Sequence, residues 1–111
     1  MIMYIAVTTA PSSPPINLNV RQVTSISFML SWSAPPLPEQ NGLIRHYSVR
    51  CTHQEGDFEI LTDSLTARLI TNLRPFYNYT CSVAAVTIAP GPYSSTVLVT
   101  TLEDGNFFIR A

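Results

Sequence analysis

The sequence predicts an all-β domain in which two sheets of short strands pack face to face. Three observations carry this. The chain is rich in Thr, Ser, Val, Ile and Tyr and holds nine prolines against four glycines, a composition that favours strands over helices. No stretch of a dozen residues keeps apolar residues at helical spacing without proline or a β-branched run breaking it. Seven short segments follow one another roughly every 8–12 residues with turn residues between them, the pattern of a two-sheet sandwich.

The elements follow in order. The start, MIMYIAV, is apolar but short and lacks a basic leading region, so it reads as a linker or fragment edge rather than a signal peptide. Thr8–Pro15, TTAPSSPP, loses a backbone donor at each proline and is expected as extended linker. Residues 1–13 are therefore expected as linker, 14–102 as the domain, and 103–111 as a second linker or the start of a further domain. INLNV places Ile16, Leu18 and Val20 on one face. SISFMLSW places Ile26, Phe28, Leu30 and Trp32 on one face and Ser25, Ser27 and Ser31 on the other, with Met29 facing out. SAPPLPEQNG is expected as a loop.

LIRHYSVRCT turns Tyr47, Val49 and Cys51 inward and His46, Ser48 and Arg50 outward. HQEGD is a turn and FEIL a short edge strand. SLTARLITNL is ambiguous: Leu65, Ala67 and Leu69 alternate, yet Ile70 and Leu73 are expected inward, which leaves Arg68 awkwardly placed. YNYTCSVAAV puts Tyr79, Cys81, Val83 and Ala85 on one face. TIAPGP turns the chain, YSSTVLVTT supplies the last strand, and LEDGNFFIRA trails it.

Charged residues are 12% of the chain and its net charge is −1, with six Lys+Arg against seven Asp+Glu, so it has no basic face for nucleic acid. No apolar run reaches the length that spans a bilayer, so this segment is not expected to insert into a membrane. Nor is there a nucleophile elbow, a phosphate-cradling glycine loop or a pair of inward carboxylates, so neither catalysis nor a cofactor is expected.

From about Pro11 to Thr101 the chain resembles a fibronectin type III domain. The likeness rests on PSSPPINLNV, LSWSAP with Trp32, NGLIRHYSV with Tyr47, LRPFYNYTCSVAAV, and APGPYS before the last strand. The resemblance implies a seven-stranded immunoglobulin-like Greek-key β-sandwich. It also gives LRPFYNY its meaning: Leu73 plugs one end of the core, Pro75 stiffens the corner, and Tyr79 is buried with its hydroxyl bonded back to nearby backbone. Together with Trp32 and Tyr47 these residues are architecture. In style the motifs are similar to repeats of receptor-like protein tyrosine phosphatase and neural cell-adhesion ectodomains.

In that fold Cys51 and Cys81 lie on antiparallel neighbours. If Tyr47 faces Ala85, then Val49 faces Val83 and Cys51 faces Cys81, within disulfide reach. Such a bridge stabilises by about 3–4 kcal/mol through chain entropy. The alternative is two buried thiols acting as small hydrophobes. Two cysteines make no closed zinc site, and His46 and His53 point to opposite faces, so no metal is expected.

Asn78–Thr80, NYT, is an N-glycosylation sequon whose asparagine faces solvent; its alternative is a coincidental triplet. PPLP, Pro35–Pro38, matches a polyproline ligand but reads better as a stiff loop. No Arg-Gly-Asp occurs in the TIAPGP loop, and no second Trp-Ser box of the cytokine-receptor kind is present.

The resemblance thus implies a non-enzymatic extracellular spacer and protein-interaction module of a cell-surface receptor or adhesion protein. Loop residues Leu37, Glu39, Gln40, Ile88 and Pro90 are its candidate partner contacts. Two rival readings are an accessory spacer of a secreted enzyme, such as a glycoside hydrolase, and a cytosolic muscle-type repeat.

Overall fold

The computed structural model describes residues 7–103, so the expectations for MIMYIA and for the tail beyond Glu103 lie outside the described residues. The strands are β1 (Ile16–Arg21), β2 (Phe28–Ser33), β3 (His46–His53), β4 (Gly56–Leu61), β5 (Ala67–Ile70), β6 (Asn78–Val86) and β7 (Val97–Thr100), with one helical turn, α1 (Leu37–Gln40). They form a three-stranded sheet ordered β1-β2-β5 and a four-stranded sheet ordered β4-β3-β6-β7. Every pairing within them is antiparallel.

Alternation builds the core. In β2, Phe28, Leu30 and Trp32 are buried while Met29, Ser31 and Ser33 are half-covered. Opposite them, Tyr47, Val49 and Cys51 from β3 and Tyr79, Cys81, Val83 and Ala85 from β6 close the sandwich, with Ile70, Leu73 and Val99 at its margins. Trp32 meets Tyr47 edge-on at 5.3 Å and Phe28 meets Tyr79 tilted at 5.9 Å. Such aromatic pairs contribute about 0.5–1.5 kcal/mol each beyond the area they bury. The register of β3 on β6 aligns Tyr47 with Ala85, Val49 with Val83 and Cys51 with Cys81.

Several positions depart from simple alternation, each for a local reason. Ile26 is 53% exposed rather than inward. The Thr24 hydroxyl accepts the Ile26 N–H at 3.2 Å, and the Thr24 N–H donates to the Ser27 carbonyl at 2.8 Å, so the chain is still turning and β2 begins only at Phe28. Ile16 is also turned out, because the β1–β2 register shifts between Ile16 and Asn19 and Asn17 adopts φ 59°. That is a bulge, and it leaves Leu18 and Val20 to pack on the core.

The stretch expected as plain loop contains α1, started by prolines at its first turn and ended by Asn41 in the left-handed conformation, φ 60°. The last strand is shorter than YSSTVLVTT, spanning only Val97–Thr100. Ile70 is fully buried, while Arg68, opposite Leu30, escapes to solvent at the sheet edge.

The outer face of β3 and β6 corrects a larger expectation. Ser48 is buried, not solvent-facing, as are Ser82, Ala84 and Val86. The loop after β6 brings Tyr93 back over this face, where its hydroxyl bonds Ser48 at 2.8 Å. Ser48 donates to Glu59 at 2.9 Å, and Arg50 sits 4.4 Å over the Tyr93 ring and 3.7 Å from Glu59.

Candidate functional site

The LRPFYNYTC corner is assembled from backbone upward. Leu73 and Tyr79 are buried and Pro75 is half-buried. Asn72 and Phe76 take positive φ values, 60° and 50°, which fold the segment tightly enough for the Tyr79 hydroxyl to accept the Arg74 N–H at 2.9 Å. Thr101, itself buried, donates to the Arg74 carbonyl at 2.6 Å and accepts the Tyr77 N–H at 2.9 Å. The Leu102 N–H donates to the Thr24 carbonyl, and the Leu102 carbonyl accepts the Phe76 N–H. The outgoing chain is thereby stitched to the corner.

Beside the corner lies a cleft of about 280 Å³ between β4 and the β5–β6 connection, floored by Phe58, Ile60, Leu73 and Tyr79 and rimmed by His53, Asn72 and Arg74. The His53 ring lies 5.6–6.0 Å from those of Tyr79, Tyr77 and Phe58. Arg74 pairs with Glu55 at 3.4 Å across the rim. A hydrogen bond to Glu55 holds the Tyr77 phenol above its usual value. Among the described residues no carboxylate lines the cleft floor. His46 and His53 stand at the two ends of β3, roughly 20 Å apart. Among the described residues no group of three His, Cys, Asp or Glu side chains could hold a metal ion.

Cys51 and Cys81 are joined as a disulfide, Cα–Cα 4.1 Å, with both residues fully buried. Trp32 and Tyr47 form the opposite end of the core, where burial pushes the Tyr47 phenol up. Asn78 is exposed at the first position of β6, and the Thr100 hydroxyl donates to its Oδ1 at 2.5 Å.

At the other end of the sandwich, the candidate contacts divide. Leu37 and Ile88 are 80% and 68% exposed, and Pro90 is exposed with them. Glu39 and Gln40 are half-buried and serve the fold instead. The Gln40 amide donates to the Pro35 carbonyl at 2.8 Å, and the Glu39 carbonyl accepts the Ser12 N–H at 2.9 Å.

The incoming segment, expected as free linker, is fastened here. The Thr9 N–H donates to the Asn41 carbonyl, the Asn41 amide to the Ala10 carbonyl, and the Thr87 hydroxyl to the Thr9 carbonyl, at 3.0, 3.0 and 2.5 Å. Pro11 is buried and lies so near Gly91 that a Cβ there would meet its carbonyl oxygen at 2.6 Å. Sequence reasoning missed this tether and the Tyr93 network. The traces were Gly91 within APGP, and Ala84 and Val86, apolar at positions that alternation assigned to solvent.

Residues 12–100 match the profile of the fibronectin type III domain family. The chain is 33% identical over 106 residues to the netrin receptor DCC of Mus musculus, covering 93% of this chain and 7% of the receptor. It is 35% identical over 104 residues to the cell adhesion molecule DSCAML1 of Mus musculus, covering 86% of this chain and 5% of that protein. The chain thus spans less than a tenth of the length of these curated relatives. In fold it is similar to the third fibronectin III domain of human KIAA0343 protein (TM-score 0.81, 20% identity, 99% of this chain and 98% of that one). It is also similar to the FN5 domain of Drosophila Lar (TM-score 0.70, 24% identity, 84% and 98%).

Proposed function

Because the chain belongs to the fibronectin type III family and is homologous to parts of cell-surface receptor and adhesion ectodomains, we propose that it is a non-enzymatic extracellular module that spaces its neighbours and offers them or a partner a protein-binding surface. One observation carries the reading. The chain comes in at the end of the sandwich built by α1 and the β6–β7 loop, leaves at the end built by the LRPFYNY corner, and is hydrogen-bonded to the body at both. A module clamped at opposite ends transmits a direction from one neighbour to the next, whereas free linkers would let neighbours tumble independently. Leu37, Ile88 and Pro90 project beside the incoming clamp, apolar side chains that the core does not use.

Small-angle scattering on a protein holding this module between its natural neighbours tests the spacer role. Thr87→Val with Asn41→Gly removes side-chain hydrogen bonds of the incoming clamp while keeping the left-handed backbone at position 41. The distance distribution is expected to broaden while the module's melting temperature changes little. An unchanged distribution would end the spacer reading. For the binding role, Leu37→Glu with Ile88→Glu is expected to abolish capture of the partner by the intact ectodomain, and full retention would remove these loops from the interface.

A further inference from the structure

We propose that Asn78 carries an N-linked glycan, and that the glycan covers a part of the four-stranded sheet that the protein itself leaves bare. The proposal needs only passage through the secretory pathway, not the spacer role, so the two can fail separately.

The sequon meets the geometric conditions. Asn78 is exposed, its Nδ2 makes no hydrogen bond among the described residues, and the Thr100 hydroxyl holds only Oδ1. Thr80, the third sequon residue, shares the outer face of β6 with it, because Tyr79 between them points into the core.

The second line comes from the edges of the sheets, where unpaired backbone groups invite other chains to add a strand. Four strands present an edge, and three of them carry charged side chains. β1 has its bulge at Asn17 and carries Arg21. β5 carries the exposed Arg68. β4 carries Asp57 and Glu59. β7 carries none: it is as short as β5, but its sequence is VLVT, with neither charge nor proline, and the whole chain contains no lysine, a residue often used to protect an edge.

The face beside that edge is equally uncovered. Tyr93, with Arg50 against its ring, covers the half of the outer face around Ser48. Beyond it lie Thr52, Asn78, Thr80, Leu98 and Thr100, and Leu98 is 67% exposed. Asn78 faces Thr100 and Thr80 faces Leu98, which puts Asn78 and Leu98 at a cross-strand diagonal of about 7–8 Å. A sugar on Asn78 Nδ2 therefore lies over Leu98 and reaches the β7 edge. The one edge strand without a charged side chain adjoins the one sequon.

The modification is a transfer from a lipid-diphosphate-linked oligosaccharide. Asn78 Nδ2 forms a bond to the anomeric carbon, the bond from that carbon to the diphosphate oxygen breaks, and one Nδ2 proton is released together with the departing lipid diphosphate.

The test is secretion of the chain within its ectodomain from eukaryotic cells, followed by peptide mass mapping before and after peptide-N-glycosidase F. The wild-type peptide is expected to carry a glycan mass that the enzyme removes, leaving aspartate at position 78. Thr80→Ser is expected to keep the glycan, and Thr80→Ala to lose it while leaving Asn78 and its Thr100 contact in place. A secreted wild-type peptide of unmodified mass overturns the site. For the covering role, sedimentation velocity is expected to show self-association rising in the deglycosylated protein and falling again in Leu98→Lys. A deglycosylated protein that stays monomeric at the same concentrations overturns the covering role.

Discussion

Tyr79 combines a ring held in the core with a hydroxyl that closes the corner, and the two contributions can be separated. Tyr79→Phe keeps the ring against Phe28 but leaves the Arg74 N–H without its acceptor. The expected loss is about 1–2 kcal/mol, read as a lower denaturant midpoint with unchanged slope. This role was implied by the resemblance to fibronectin type III domains, although the sense of the hydrogen bond was not, since a phenol both donates and accepts. Tyr47 offers a pH test. Burial raises its phenol above the ordinary value of about 10, so the folded state prefers the neutral form. Its stabilisation is complete below the unfolded value and is lost as pH rises through the folded one. Unfolding midpoints taken across that alkaline range should fall in the wild type and fall less in Tyr47→Phe. A residual slope is expected from Tyr77, whose phenol Glu55 also raises. Equal slopes in both proteins would show that Tyr47 does not couple to folding.

Strands β2 and β6 could be read from alternation because each has one face on the core, whereas the pairing of β3 with β6 came from the family resemblance and its register from assuming that Tyr47 faces Ala85. Alternation is silent wherever something other than the opposite sheet does the covering. Ser48, Ala84 and Val86 are buried on the outer face, where Tyr93 reaches Ser48 from an irregular loop and Pro90 bridges to Val86, and no period in β3 or β6 announces this cover. Proline density likewise concealed α1, since prolines that open a helical turn look the same as prolines that prevent one. The incoming segment was mistaken for linker because its partners, Asn41, Thr87 and Gly91, lie far along the chain. Gly91→Ala isolates that tether. The added methyl would occupy the space of the Pro11 carbonyl, so the segment must lift away. Amide exchange at Thr9 and Ser12 should accelerate at least tenfold, with a stability loss of about 1–3 kcal/mol. Unchanged exchange at both amides would mean that the segment is not held by this contact.

The sandwich as a whole depends on how firmly its two sheets are joined, and the disulfide does not join them. Cys51 and Cys81 both belong to the four-stranded sheet, on paired strands that already share a full hydrogen-bond ladder. The bridge therefore acts chiefly on the unfolded chain, closing a loop across a sequence separation of 30. The chain-entropy view assigns such a loop about 3–4 kcal/mol. The cohesion between sheets comes instead from Trp32 on Tyr47 and Phe28 on Tyr79. Reduction should accordingly leave the near-ultraviolet dichroism of these rings intact while lowering the denaturant midpoint by the equivalent of about 3 kcal/mol. Cys51→Ala with Cys81→Ala should lose somewhat more, because two fully buried sulfurs leave space behind. If reductant changes neither the midpoint nor the alkylation of the two cysteines, the thiols were never joined. If it erases the aromatic dichroism, the bridge holds the core in place as well as constraining the unfolded chain, and the division of labour between ring pairs and disulfide fails.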